Sequence, residues 1–331
     1  MQKVTGELLI NKALELLDNG TVNRVLGWKR GEFAYDMTPA VFADAEELKN
    51  NFVFNDFCGA NFSKYLIAET RKEGKVLVFL KPCDSYSFNQ LLTEHRFDRE
   101  KVYAVGIPCE GMVDISKVKK AAGDGILDIV CENDGLVVKT LYDTDKVIDC
   151  KEVLAERCVS CKSRKCVAYD ELLGENGDVL DSSRFDEVEK LEKMTEDERY
   201  AFWQNELSRC IRCNACRDVC PACTCEKCVF DNPDSGVENK AVSDSFEEKM
   251  FHIIRAFHVA GRCTDCGECS RVCPQHIPLH LLNRKFIKDI NEFYGDYQAG
   301  AEVGSRAPLV NYTVDDLEPS EAVQKGDADN A

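Results

Sequence analysis

Two cysteine runs constrain this chain more than any other feature. Cys210, Cys213, Cys216 and Cys220, followed by Pro221, form C-x2-C-x2-C-x3-C-P. Cys263, Cys266, Cys269 and Cys273, followed by Pro274, repeat that spacing letter for letter. Three thiolates on one tight loop can hold three irons of a cubane, and the fourth ligand has to come from elsewhere. In the paired arrangement each run lends its last cysteine to the other cluster. The spacing therefore predicts one 4Fe–4S cluster on Cys210, Cys213, Cys216 and Cys273, and a second on Cys263, Cys266, Cys269 and Cys220. A pair of zinc ribbons would need only two C-x2-C knuckles and would leave the other cysteines of the runs unexplained.

The composition agrees with metal chemistry. The chain has 19 cysteines in 331 residues, and its polar start at Met1-Gln2-Lys3 does not read as an export signal. Thiols in that setting point to metal ligation in a reducing, cytoplasmic compartment rather than to disulfides. No stretch of about 18 apolar residues is present to span a membrane. A net charge of −17 speaks against nucleic acid or an anionic membrane surface as a partner.

Periodicity divides the chain. Leu8, Leu9, Ala13, Leu14 and Leu17 predict a helix over 4–19, stopped by Gly20. Short apolar runs at 76–80, 102–107 and 126–131 read as strands, with a helix over 85–95 between the first two. A hairpin is expected at Asn133-Asp134-Gly135, leading into 136–139. This alternation predicts an α/β domain over 1–171, with Cys83 and Cys109 just beyond two strand ends, where open α/β sheets place ligands. Residues 172–194 read as an acidic linker. A helical, bacterial-ferredoxin-like dicluster domain is expected over 195–300, its two loops each delivered by an amphipathic helix. Capping boxes at Thr195/Glu198 and Ser245/Glu248 open those helices. An aperiodic acidic tail over 301–331 is expected to be disordered.

Eleven cysteines lie outside the repeat. Cys83, Cys109, Cys158 and Cys161 could assemble a third cluster from two strand ends and one knuckle, because gathered thiolates repel unless a metal neutralises them. The competing arrangement is a zinc site on Cys158, Cys161, Cys166 and one further ligand. Cys223, Cys225 and Cys228 form a C-x-C-x2-C set that fits a further cluster completed by Cys166 or Cys58, a zinc ion, or redundancy. Cys131 and Cys150 are expected to be core thiols. His252, His258, His276 and His280 crowd the second loop, where structural roles are expected of them. No hydrolase triad, P-loop or G-x-G-x-x-G occurs.

Several segments resemble one family. They are Lys81-Pro82-Cys83-Asp84, Gly106-Ile107-Pro108-Cys109, Cys158 to Gly174 with Tyr169-Asp170, and Cys210-Ile211-Arg212-Cys213-Asn214-Ala215-Cys216-Arg217. Together they resemble the beta subunits of deazaflavin-dependent hydrogenases and formate dehydrogenases, over roughly residues 75–285. Within that group the chain looks most like iron–sulfur subunits of flavin oxidoreductase complexes coupled to heterodisulfide reductase. Cys273-Pro274 and Ile277-Pro278-Leu279 are similar to electron-input subunits of that reductase. The resemblance implies a cytoplasmic subunit that relays single electrons between a dehydrogenase or hydrogenase partner and a heterodisulfide-reductase-like flavoprotein. It implies two to four 4Fe–4S clusters, and a flavin in the alternative version that exchanges hydride with a deazaflavin or nicotinamide.

Overall fold

The computed structural model describes residues 4–132, 135–142, 144–180, 183–231 and 245–310. Its main sheet has five strands in the order β2-β1-β3-β4-β8: β1 (Arg24–Arg30), β2 (Met37–Phe42), β3 (Val76–Leu80), β4 (Val102–Gly106) and β8 (Glu171–Leu172). Strands β1, β3, β4 and β8 run parallel, and β2 joins the edge antiparallel to β1. Pro39 sits in β2, where an edge strand tolerates a residue that cannot donate to the ladder. All five residues of β3 are buried, so the apolar run is that of a strand covered on both faces. The helix Gly6–Asp18, capped by the Thr5 hydroxyl accepting from Leu8 N–H, buries Leu9, Ala13 and Leu16. Trp28, Phe42, Phe62, Phe79 and Phe88 fill the core around the sheet, each burial contributing about 1.5–3 kcal/mol.

The runs at 126–131 and 136–139 do not continue this sheet. They form β5 (Ile126–Glu132) and β6 (Gly135–Thr140), which with β7 (Lys146–Asp149) make a separate antiparallel sheet. That sheet and the helix Ile115–Ala122 enclose a small core of their own, including Val118, Leu136, Val138 and Cys150. Asn133 and Asp134, at the expected hairpin, lie outside the described residues, though the pairing of Glu132 with Gly135 is that of a hairpin.

Two boundaries differ from expectation. The supposed linker carries the helix Asp186–Glu192, which buries Val188 and Leu191 against Leu281. The supposed tail is ordered to Val310: Gly304 N–H donates to Thr93 Oγ1 at 2.9 Å, and Ala307 is buried. Residues 311–331 lie outside the described residues. The Thr195/Glu198 capping box is present and starts the helix Glu196–Ser208. The helix Ser245–His258 starts where its box was expected, although the side chains of 245–248 are not described.

The dicluster half is fastened to the sheet by buried polar bonds. Glu268 accepts from Asn61 N–H at 3.1 Å and pairs with Arg157. Ser87 and Thr264 share a hydrogen bond of 2.8 Å, and Arg262 grips Glu94 through two N–H donors. Such groups cost several kcal/mol if left unpaired, so together they fix how the halves meet. Among the described residues no helix is long and apolar enough to cross a membrane.

Candidate metal centres

The sequence repeat is also a backbone repeat. Arg212 and Asn214 flank Cys213 with φ of 54° and 62°, and Asp265 and Gly267 flank Cys266 with φ of 56° and 66°. A left-handed residue on each side of the middle cysteine folds each loop back on itself. A four-residue helix follows in both cases, Ala215–Asp218 and Glu268–Arg271. Alternating right- and left-handed residues aim successive N–H groups into one concavity, which suits an anionic, sulfide-bearing group.

The last cysteine of the second run sits with the first loop. Cys210, Cys213, Cys216 and Cys273 line one cavity, walled also by Phe251, His252 and Leu279. Cys220 leaves that set and acts electrostatically on the thiols of Cys263, Cys266 and Cys269. Burial pushes the Cys216 and Cys263 thiols up to about 12, with neighbouring cysteines adding to the effect. Sulfurs packed this closely become thiolates only against compensating positive charge, and iron supplies it. The donor set and the folded-back loop fit a cubane cluster, with Cys213 on its exposed side.

Cys83, Cys109, Cys158 and Cys161 also converge. They line one enclosed cavity, which Cys266 of the second loop walls on another side. Cys83 stands in the first turn of the helix Pro82–Thr93 directly after β3, and Cys109 follows β4. Met112 N–H donates to Cys158 Sγ at 3.3 Å, with Gly111 at φ 126° making the bend. Burial, then the Cys158 charge, pushes the Cys109 thiol up to about 12. The zinc alternative is not assembled. Cys166 points its Sγ at the carbonyls of Leu80 and Ile107, 3.7 Å from each, inside the sheet. No group of three or more His, Cys, Asp or Glu side chains among the described residues is gathered as a single metal ion requires.

The remaining cysteines split. Cys223, Cys225 and Cys228 line an open cleft with Lys64, Arg71, Arg96 and Arg262, and Arg96 donates to the Thr224 carbonyl. Neither fourth ligand suggested for that set reaches it. Cys58 is held in the core beside Val53 O and Asn55, and Cys166 is captured as described. Cys150 is a core thiol, but Cys131 is exposed, because β5 is the edge strand of the small sheet.

Comparison with known proteins agrees with this architecture. Residues 206–277 match the 4Fe-4S dicluster domain family. The F420-dependent formate dehydrogenase subunit beta of Methanocaldococcus jannaschii is 26% identical, with 89% of this chain and 92% of that protein covered. Subunit beta of the F420-dependent formate dehydrogenase 1 of Methanococcus maripaludis is also 26% identical, over 88% of this chain and 92% of the relative. The chain is similar to those beta subunits over most of its length. The expected resemblance to beta subunits of deazaflavin-dependent formate dehydrogenases is borne out, and it extends well beyond residues 75–285. A solved complex, the xenon-derivatised F420-reducing [NiFe] hydrogenase of Methanosarcina barkeri, aligns with TM-score 0.38 at 12% identity, covering 62% of this chain and 87% of that one.

Three groups around these cavities, Arg157, Lys162 and Arg255, escaped the sequence reading, and a fourth, His252, was expected only to be structural. His252 Nε2 lies 3.3 Å from Cys210 Sγ, and burial together with Arg255 and Arg212 holds its imidazole neutral, down at about 3. Arg157 donates to the carbonyls of Cys266 and Gly59 while pairing with Glu268, between the cavity of Cys83 and the second loop. Lys162 donates to Thr264 O and lies 4.2 Å over the Tyr86 ring; burial and Arg184 lower it to about 8. Arg255 is 2% exposed. His252 and Arg255 sit three apart on one helix face, a visible spacing, but nothing in it announces burial against sulfur.

Gly267 makes this packing possible. It has φ 66°, and a Cβ there would stand 2.5 Å from Arg157 Cβ. Gly267→Ala is expected to destabilise the protein by about 2 kcal/mol or more, from left-handed strain plus displacement of Arg157. Thermal denaturation of the metal-loaded protein checks this; an unchanged midpoint would show the backbone to be less constrained.

Proposed function

We propose that this chain is the iron–sulfur beta subunit of an F420-dependent formate-dehydrogenase-like complex, relaying single electrons through three 4Fe–4S clusters. The observation that carries the reading is that Cys210, Cys213, Cys216 and Cys273 line one cavity and Cys83, Cys109, Cys158 and Cys161 another, while Cys220 shares a small core with Cys263. Cys210, Cys213, Cys216 and Cys273 would hold the first cluster, and Cys263, Cys266, Cys269 and Cys220 the second. Cys83, Cys109, Cys158 and Cys161 would hold the third. Bound clusters accept and release one electron at a time at potentials set by charge, burial and hydrogen bonds to sulfur.

The chain's own residues prepare those conditions. The three sites adjoin in series, since Cys266 belongs to the second set and walls the cavity of the third. Met112 N–H and Arg212 N–H donate to Cys158 and Cys210 sulfurs at 3.3 and 3.4 Å. Phe251, Ile277 and Leu279 exclude water from the first cavity. Arg157 and Lys162 place positive charge between the second and third sites, which offsets the charge that reduction adds. The donor would be a dehydrogenase or hydrogenase subunit and the acceptor a heterodisulfide-reductase-like flavoprotein, with cytoplasmic location.

Iron and acid-labile sulfide of about twelve each per chain are expected, against about eight for the dicluster alone. A protein holding only zinc would overturn the proposal. The basic cleft with Cys223, Cys225 and Cys228 stands as a candidate fourth site, which would raise both counts to about sixteen.

A second reading keeps a flavin in this subunit, exchanging hydride with a deazaflavin or nicotinamide. One cleft favours it: Tyr35, Phe57, Met112, Arg157 and Ile277 border it beside the third and second sites. Denaturing anaerobically purified protein and scanning for released flavin fluorescence decides the matter; none from a cluster-replete sample removes this reading.

A further inference from the structure

Arg255 is a buried charge without a carboxylate. It lies on the helix Ser245–His258 and is 2% exposed, and its Nε and Nη1 have no hydrogen-bond partner. Among the described residues no Asp or Glu forms an ion pair with it. Three residues before it, His252 Nε2 lies 3.3 Å from Cys210 Sγ, and four residues after it Val259 packs in one small core with Cys220, Cys223 and Cys263; the Arg255 charge also acts on Cys269, Cys216 and Cys220. Cys216 belongs to the first cysteine set, and Cys269 and Cys220 belong to the second. One guanidinium therefore stands against ligands of both.

A guanidinium does not give up its proton in a protein. Buried without a counter-charge it costs several kcal/mol, so a fold that keeps it there must supply negative charge around it. Two thiolate-bound clusters supply that charge, and each gains one more negative charge on reduction. The benefit is mutual, and it is larger for the reduced state.

We propose that Arg255 is a positioning residue shared by both dicluster sites, whose fixed positive charge raises the two reduction potentials together. The inference rests on the iron–sulfur reading of residues 206–277 and adds what sets the potentials. It also accounts for an interior cation in a chain of net charge −17. Lys64, whose charge reaches Cys220 and Cys223 from the α/β half, acts in the same sense.

The test is a redox titration of the full-length, cluster-loaded protein followed by electron paramagnetic resonance. Each dicluster centre takes up one electron from the titrating dithionite. In Arg255→Met both dicluster signals should need a more reducing poise. At the wild-type midpoint the reduced-to-oxidised ratio should fall about tenfold, or 59 mV for a one-electron centre. The signal assigned to the Cys83 site should not move, and Arg255→Lys should restore most of the shift. A cluster-replete Arg255→Met with wild-type potentials overturns the proposal, as does a shift confined to one dicluster centre. If Arg255→Met cannot be loaded, Arg255→Lys decides: near-wild-type potentials support the role of charge, and potentials displaced tenfold or more overturn it. Wild-type protein lacking iron and sulfide would instead overturn the iron–sulfur reading itself, so the two failures are distinct.

Discussion

Stripping iron from the protein is expected to abolish hydrogen-exchange protection across residues 206–231 and 245–277 while leaving β3 and β4 protected. The core of the dicluster half is partly made of ligands: Cys216, Cys269 and Cys273 pack with Leu207, Phe230, Phe251, Ile277 and Leu279. Its loops carry helices of only four residues, too short to persist without tertiary support. Metal binding there is folding free energy, so its loss should lower protection by about a thousandfold or more. The sheet core needs no metal, since Trp28, Phe42, Phe62 and Phe79 close on one another. Exchange measured by mass spectrometry before and after chelation checks this. Retained protection at 251–258 in iron-free protein would show that the helices hold the fold and the metal only occupies it.

The second large effect is expected at Cys109. Replacing it with serine puts a hydroxyl, a poor iron ligand, into a cavity that Cys83, Cys158 and Cys161 share. Iron should fall from about twelve to about eight per chain, and one of three paramagnetic signals should disappear. The dicluster signals should remain, because Cys109 is not among their ligands. Global stability should change less than in the iron-free protein, since Cys109 follows a strand whose ladder to β3 is intact. An unchanged iron count in Cys109→Ser would remove the third site from the relay.

What was legible in the sequence was what is local. The doubled cysteine spacing gave away the loops because a cubane fixes ligand separations along a few residues. Cys83 and Cys109 were legible through a topological rule, since strand ends of a parallel sheet gather on one edge. Strands β1 and β2 were missed because their pairing is tertiary; neither alternates cleanly, and the short β2 contains Pro39. The apolar runs of β5 and β6 were recognised as strands but assigned to the wrong sheet, for a run records burial and not its partner. The helix Asp186–Glu192 has two buried apolar residues among charges, too few for a periodic signal. Arg157, Lys162 and Arg255 were unreadable for a different reason. Cations are ordinarily solvated, and their burial is visible only once the sulfurs they face have been brought together.

The crossing-over of last cysteines also sets a timetable. The third set is complete once Cys161 has been synthesised, while sheet strand β8 still lies ten residues ahead. Neither dicluster set closes so early. The first set waits for Cys273, although its other three members are finished by Cys216, and the second has only Cys220 until Cys263 is made. Both sets therefore become complete within the same short stretch of chain, and a nascent protein halted between the loops would hold three cysteines of the first set and one of the second. On the proposed ligand sets, neither dicluster site has all its cysteines until the chain has passed Cys269 and Cys273.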